Sequence, residues 1–397
     1  QALKDNGIDP IADVVLNHKA AADGTETFTV IEVDPNDRTT AISEPFMIKG
    51  WTHFTFPGRN KQYNDFEWHW YHFTGTDFDA KSRRSGIYLI QGDNKGWAND
   101  ELVDSENGNY DYLMYADLDF KHPDVIKNLY DWAKWFIETT GIQGFRLDAV
   151  KHIDSFFMAN FIRDILQEYG DDFYVFGEFW NNDEAANNDY LENIDYRFDL
   201  VDVKLHTNLF EASQKGEEYD LRTIFDHTLV KNHPESAVTF VENHDTQRGQ
   251  ALESTVEEWF KPAAYALILL RESGLPCIFY GDYYGINGEF AQQDFQEEID
   301  KLLDLRLNLA YGEETDYFDD PNCIGWTRAG QDGSQPIAVL ISNASATSKR
   351  MYFGQDWSGH ECSDYLGNCQ TIVTIDEEGW GVFPVEEQSV SVWSIKK

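Results

Sequence analysis

Short apolar, β-rich runs alternate with helix-patterned stretches through most of this chain. Residues 11–16 read as a strand that ends at Asn17-His18. A long polar, aromatic and turn-rich stretch follows, about 19–115, with no helical periodicity. Pro123 then opens a helix with the apolar stripe Val125, Leu129, Trp132 and Phe136, ending at Gly141. Residues 144–150 read as a strand, and the next helix carries Phe157, Phe161 and Ile165 and stops at Gly170. Further strands are expected at 173–179, 237–242 and 276–280, with a weaker one at 198–205, and helices near 255–273 and 295–310. Strand, helix, strand at this spacing means parallel βα units. From about residue 315 the rhythm changes to short alternating runs (337–341, 371–375, 389–393) between Gly, Asn, Asp and Ser turns, the pattern of an antiparallel β domain.

A closed (β/α)₈ barrel needs eight strands, and about six are legible. The deficit lies at the front, so the expected fold is a (β/α)₈ TIM barrel with its N-terminal βα units missing. The barrel is expected over 1–18 and 116–314. A β-rich domain is inserted at 19–115, and a C-terminal antiparallel β-sandwich domain covers 315–397.

Charge narrows the partners. Asp plus Glu number 71 against 31 Lys plus Arg, a formal charge of −40. Such a surface repels nucleic acid and anionic membranes, so a neutral polymer and metal ions suit it better. Aromatics reach 15%, and aromatic faces beyond the needs of a core stack well on sugar rings. The longest apolar run, 263–270, is far short of a membrane span. Of the four Cys, Cys362 and Cys369 are close enough in sequence to staple a small loop, and Cys277 reads as a plain buried thiol. Asn343-Ala-Ser is a glycosylation sequon.

In a barrel of this type reactive groups sit where strands end. Those ends read Asp13-Val-Val-Leu-Asn17-His18, Gly144-Phe-Arg146-Leu-Asp148-Ala-Val-Lys151-His152, Gly177-Glu178-Phe179-Trp180 and Phe240-Val-Glu242-Asn243-His244-Asp245. Three carboxylates, Asp148, Glu178 and Asp245, lie at or near the ends of separate strands. Retaining glycoside hydrolases need such a set: one carboxylate attacks the anomeric carbon and one acid protonates the leaving oxygen. Arg146 lies two positions before Asp148 on the same strand face and is placed to keep it ionised.

These four segments, in this order, resemble the four sequence regions of the α-amylase family of glycoside hydrolases. The segments Trp51-Thr-His-Phe-Thr-Phe-Pro-Gly-Arg59, Glu106-Asn-Gly-Asn-Tyr-Asp-Tyr-Leu-Met-Tyr-Ala-Asp117, Trp259-Phe-Lys-Pro262 and Tyr280-Gly-Asp-Tyr-Tyr-Gly285 extend the likeness to the liquefying bacterial type over nearly the whole chain. The resemblance implies an endo-acting hydrolase of α-1,4 bonds in starch, amylose and maltooligosaccharides. Asp148 would be the nucleophile, Glu178 the acid/base, and Asp245 the stabiliser of the transition state. His18 and His244 would bond the same sugar ring, Arg146 would orient Asp148, and Lys151 and Trp180 would contact leaving-side glucose units. It also implies one Ca²⁺ held by Asn17, Asp100, Asp111, Asp117 and the backbone oxygen of His152. Two further cation-site aspartates of the family align with Thr74 and Lys121, so an additional Ca²⁺/Na⁺ cluster is not expected. A monomer is implied, secreted as a rule for starch-degrading enzymes, with cytoplasmic members also known. Two alternatives stay open: a related hydrolase or transglycosylase forming maltooligosaccharides, and an inactive truncated fragment or glucan-binding protein.

Overall fold

The computed structural model describes residues 1–331 and 333–396. The chain divides into two units. One is Gln1–Asn181 with Ala185–Leu200; the other is Asn182–Glu184 with the chain from Val201 onward.

In the first unit, β1 (Ile11–Val14) is followed by the strands of an antiparallel sheet: β2 (His18–Lys19), β3 (Gly24–Val33), β4 (Phe46–His53), β5 (Phe73–Asp79), β6 (Arg84–Ile90) and β7 (Ala116–Leu118). Their order across the sheet is β2-β7-β5-β6-β3-β4. Alternation explains why these stretches pair. Phe28, Val30, Ile48, Tyr88 and Ile90 are buried, while Met47 and Trp51 on β4 face outward. Gly50 is required where the sheet is tightest, since a Cβ there would meet the Phe28 ring at 2.5 Å. This sheet accounts for the turn-rich stretch that had no helical periodicity.

The parallel strands of the same unit are β1, β8 (Gly144–Leu147), β9 (Tyr174–Gly177) and β10 (Asp199–Val201). Register sets Asp13 beside Arg146, and Arg146 beside Phe176. Strands β8 and β9 approach so closely that a Cβ on Gly144 would lie 2.1 Å from the Tyr174 carbonyl oxygen. The helix Pro123–Thr140 starts with Pro at its first turn and the His122 side chain accepting from Asp124 N, and ends at Gly141 with φ of 66°. Its buried stripe is Val125, Leu129, Ala133 and Ile137. Trp132 and Phe136, expected in that stripe, are half-buried and stack on each other at 5.2 Å. The helix Ser155–Tyr169 is capped by Asp154, which accepts from Phe157 N at 2.8 Å.

In the second unit, β11 (Ala237–Phe240) and β12 (Leu275–Cys277) pair in parallel. Two expectations change here. The strand expected at 198–205 exists only as β10, because Asp202 caps a helix over Val203–Lys215 by accepting from Leu205 N at 2.9 Å. Cys277 is exposed, not buried, because β12 stands at the end of its sheet. The helices expected near 255–273 and 295–310 form over Lys261–Leu269 and Gln296–Asn308.

After them come β13 (Glu314–Asp320), β14 (Cys323–Arg328), β15 (Ile337–Ser342), β16 (Thr347–Tyr352), β17 (Glu361–Asp364), β18 (Val373–Thr374), β19 (Trp380–Val385) and β20 (Ser389–Ile395). They form a sheet of order β13-β14-β15-β20-β17-β18 and the pair β16–β19, all antiparallel. Leu340, Met351, Phe383 and Trp393 make the core between them. Cys362 and Cys369 are both buried as thiols with no bridge, and burial pushes the Cys362 thiol up to about 12. Asn343 cannot serve as a glycan acceptor in the folded chain. It is fully buried, and its Nδ2 donates to the Gly216 and Tyr219 carbonyls at 2.8 Å each.

Candidate active site and metal cage

At the ends of β1, β8 and β9 one guanidinium gathers three carboxylates. Arg146 Nη1 donates to Asp13 Oδ1 at 2.8 Å and to Asp148 Oδ1 at 2.7 Å, and Nη2 donates to Glu178 Oε2 at 2.6 Å. Parallel register makes this possible, since it brings the ends of neighbouring strands to one rim. The backbone continues the ladder past the strands: Asp148 N donates to Val14 O, and Glu178 N to Leu147 O. Burial would lower the Arg146 pKa, but Glu178, Asp13 and Asp148 together raise it, so the guanidinium stays charged. Asp148 and Glu178 are therefore tied to one cation, and Glu178 is only 6% exposed.

His18 lies close enough to this pair for Asp148 to act on it. Burial lowers its pKa, and Asp148 and Asp77 oppose that shift. Lys151 is buried and donates to Glu106 Oε2 at 2.8 Å and to the Trp180 carbonyl at 3.0 Å. Phe179, next to Glu178 in sequence, stacks on Tyr190 at 4.5 Å. In the second unit, His244 Nε2 is 3.5 Å from Asp245 Oδ2, and Asp245 N is held by Asn243 Oδ1 at 2.9 Å. Their side chains are 58% and 34% exposed, as a loop offered to a ligand would be.

Beneath the His18 strand is an oxygen-rich cage. Asn17 is fully buried, and its Oδ1 has no hydrogen-bond partner, while its Nδ2 donates to Asp117 Oδ1 at 3.0 Å. Asp111 and Asp117 are both buried. Desolvation pushes Asp111 up to about 7, and desolvation with the neighbouring Asp111 charge pushes Asp117 well up. Two buried carboxylates that repel each other and an orphaned amide oxygen are a donor set for a hard cation. Asp100 is exposed and accepts from Asn109 Nδ2 at 2.7 Å. His152 is held by its Nδ1 contact with Tyr110 O at 2.7 Å, and burial lowers its pKa to about 3. The 102–110 loop is stitched to the segment after Asp148: Asp104 N donates to Lys151 O, and Ser155 N to Leu102 O.

Thr74 and Lys121, read from the sequence as standing where further cation ligands would be, both make polar contacts here, whereas the role of Lys95 was not legible. Thr74 donates to Asp117 Oδ2. Lys95, 6% exposed, donates to Asp119 Oδ2 at 2.6 Å and to the Tyr71 and Phe73 carbonyls. Lys121 donates to the Gly96 and Trp97 carbonyls at 3.0 Å each. Two ammonium groups thus occupy oxygen-lined positions suited to cations. A lone Lys in a Gly-Asp-Asn-Lys-Gly turn carries no periodic signal, and its partners are distant in sequence.

Residues 1–328 match the sequence profile of the alpha amylase catalytic domain, and residues 337–394 that of the alpha-amylase C-terminal domain. The chain belongs to the α-amylase family. It is 46% identical over 395 residues to a glucan 1,4-alpha-maltohexaosidase of Bacillus sp. (strain 707), covering 99% of this chain and 76% of that protein. It is also 46% identical over 399 residues to an alpha-amylase of Geobacillus stearothermophilus, covering 100% of this chain and 72% of that protein. A solved Anoxybacillus alpha-amylase shares the fold at a TM-score of 0.62 and 20% identity, covering 99% of this chain and 76% of that one. The expected fold class and the expected α-amylase-type, endo-acting glucan hydrolase are borne out at that level. Among the described residues, no helix of this family member is long and apolar enough to cross a membrane.

Proposed function

We propose that Asp148 and Glu178 are the nucleophile and the acid/base of a retaining cleavage of internal α-1,4 bonds in starch, amylose and maltooligosaccharides. The observation that carries this is the single guanidinium of Arg146, which holds both carboxylates at the ends of neighbouring parallel strands. Asp148 attacks the anomeric carbon as Glu178 gives its proton to the departing glycosidic oxygen. Glu178 then takes a proton from water, whose oxygen displaces Asp148. The family resemblance assigns Asp245 and His244, and likewise His18, to sugar hydroxyls, and Lys151 and Trp180 to leaving-side glucose units. Following the first-formed product by proton NMR tests this. Retention releases the α-anomer, and a β-anomer released first overturns the assignment of Asp148.

A second reading concerns product length, and the similarity to a maltohexaosidase motivates it. A broad ladder of products from amylose supports random endo cleavage; accumulation of one oligomer supports a maltooligosaccharide-forming enzyme. The acidic surface and the polymeric substrate favour a secreted monomer without nucleic-acid or membrane partners, and gel filtration of the purified chain checks the monomer.

For the cage, Asn17, Asp100, Asp111, Asp117 and the His152 carbonyl would hold one Ca²⁺. A cation there would neutralise the buried Asp111 and Asp117 carboxylates, and its ligands would join the inserted stretch, 19–115, to the loop after Asp148. Lys95 and Lys121, with their ammonium groups on Asp119 and on the Gly96 and Trp97 carbonyls, argue against a further Ca²⁺/Na⁺ cluster. Saturating Ca²⁺ at about 100 times its dissociation constant should stabilise the chain by about 2.7 kcal/mol. Thermal unfolding with and without prolonged chelation checks this, and coincident transitions count against the site. Asp111→Asn should shrink the difference between the two transitions.

A further inference from the structure

At the β3–β4 end of the antiparallel sheet, well apart in chemistry from the oxygen cage, lies a second group of potential ligands. His53 ends β4, and Glu67 and His69 lie on the segment leading into the turn Trp70–His72. One donor atom from each of the three lies within 4.8 Å of the others. The His53 and His69 rings stack at 4.7 Å with an interplanar angle of 19°, so His53 must turn out of the stack for both imidazoles to point at one ion, and His53 Nε2 is 3.5 Å from Glu67 Oε2. All three side chains are about one-third exposed, at 32%, 35% and 30%, so a cation can reach them.

A fourth residue argues for more than chance proximity. Glu26 on β3 places Oε1 2.9 Å from His69 Nδ1, and its Oε2 accepts from Thr52 Oγ1 at 2.9 Å and from Trp70 N at 2.7 Å. A carboxylate fixed on one ring nitrogen orients the other toward a metal and raises its basicity, the usual outer partner of a ligating histidine. We propose that His53, Glu67 and His69, oriented by Glu26, form a Zn²⁺-class transition-metal site. The ligand nitrogen of His69 is Nε2, and a fourth position is open to water. Two imidazoles and one carboxylate suit Zn²⁺, Ni²⁺ or Cu²⁺, whereas Ca²⁺ takes oxygen ligands. Lys61, exposed and 3.6 Å from Glu67 Oε1, is the only described cation paired with these ligands by an ion pair and must swing away. The bound ion would cross-link the β3–β4 hairpin to the segment at 66–72. This site stands independently of the proposed catalytic roles.

Calorimetric titration of the full chain with Zn²⁺, in saturating Ca²⁺, tests the proposal. One Zn²⁺ per chain is expected at micromolar concentration, and Co²⁺ at the same site should give the visible absorption of a low-coordinate nitrogen–oxygen complex. His53→Gln and Glu67→Gln should each weaken Zn²⁺ at least tenfold. Glu26→Gln, which removes no ligand, should weaken it about 10- to 100-fold. His122→Gln should leave the affinity as it was. This last variant matters because His72, His122 and Asp124 form a second such group. Absence of Zn²⁺ binding to the parent chain overturns the proposal. So does an affinity unchanged in His53→Gln and Glu67→Gln, or one lost only in His122→Gln.

Discussion

Glu178→Gln is expected to lower kcat/KM on amylose by about 10³-fold, within the 10²- to 10⁴-fold range of general acid–base catalysis. The amide keeps the shape and still accepts from Arg146 Nη2, which now reaches Glu178 Oε2 at 2.6 Å. It has no proton to give. An activated aryl maltooligoside, whose leaving group needs no acid, should restore the first step in this variant and leave hydrolysis of the glycosyl-enzyme slow, seen as a burst. Asp148→Asn should lose as much or more on both substrates, because no leaving group replaces a nucleophile. If both variants respond alike to the activated substrate, the two roles are wrongly divided. The losses will not add, since residues that act as one unit fail together.

Lys261→Met is expected to destabilise the second unit by about 3–5 kcal/mol. Lys261 is fully buried, 2.7 Å from Glu242 Oε2 and paired with Asp282, and both carboxylates are also without exposure. Tyr265 and Gln292 complete the set through Asp282. Removing the ammonium strands two buried acids, and that penalty, rather than the worth of the pair, is what the variant measures. Burial already pushes Glu242 up to about 7 despite the lysine. Denaturant unfolding of parent and variant checks the figure; a shift below about 1 kcal/mol, the scale of an exposed pair, would show that the network is loosely held. Because Glu242 immediately precedes the Asn243-His244-Asp245 loop, the same variant should also lower kcat more than it raises KM.

How much of this could be read from residue order alone depended on how local the cause was. The strands at 11–14, 144–147 and 174–177 declare themselves, because each β-rich run ends in the polar residues that gather around Arg146. The helix over Pro123–Thr140 was equally legible, with a proline at its start and a left-handed glycine at its end. The stretch at 198–205 misled, since Leu200, Val201, Val203 and Leu205 are apolar on both sides of Asp202. Nothing local says that this Asp will turn to cap a helix. Cys277 sits in an apolar run, yet its exposure depends on which strands flank β12. Asn343 fits a sequon, and only its contacts with the Gly216 and Tyr219 carbonyls remove it from solvent. In each of these cases the deciding partner is set by tertiary packing rather than by the local pattern.

The ammonium of Lys95, ringed by Asp119 and two main-chain carbonyls, has a consequence for how this chain meets scarcity. A free ion in that spot would come and go with its concentration outside; this one arrives with translation and stays on its tether. Local charge balance near β5 and β7 is thereby insulated from dilution and from sequestering agents.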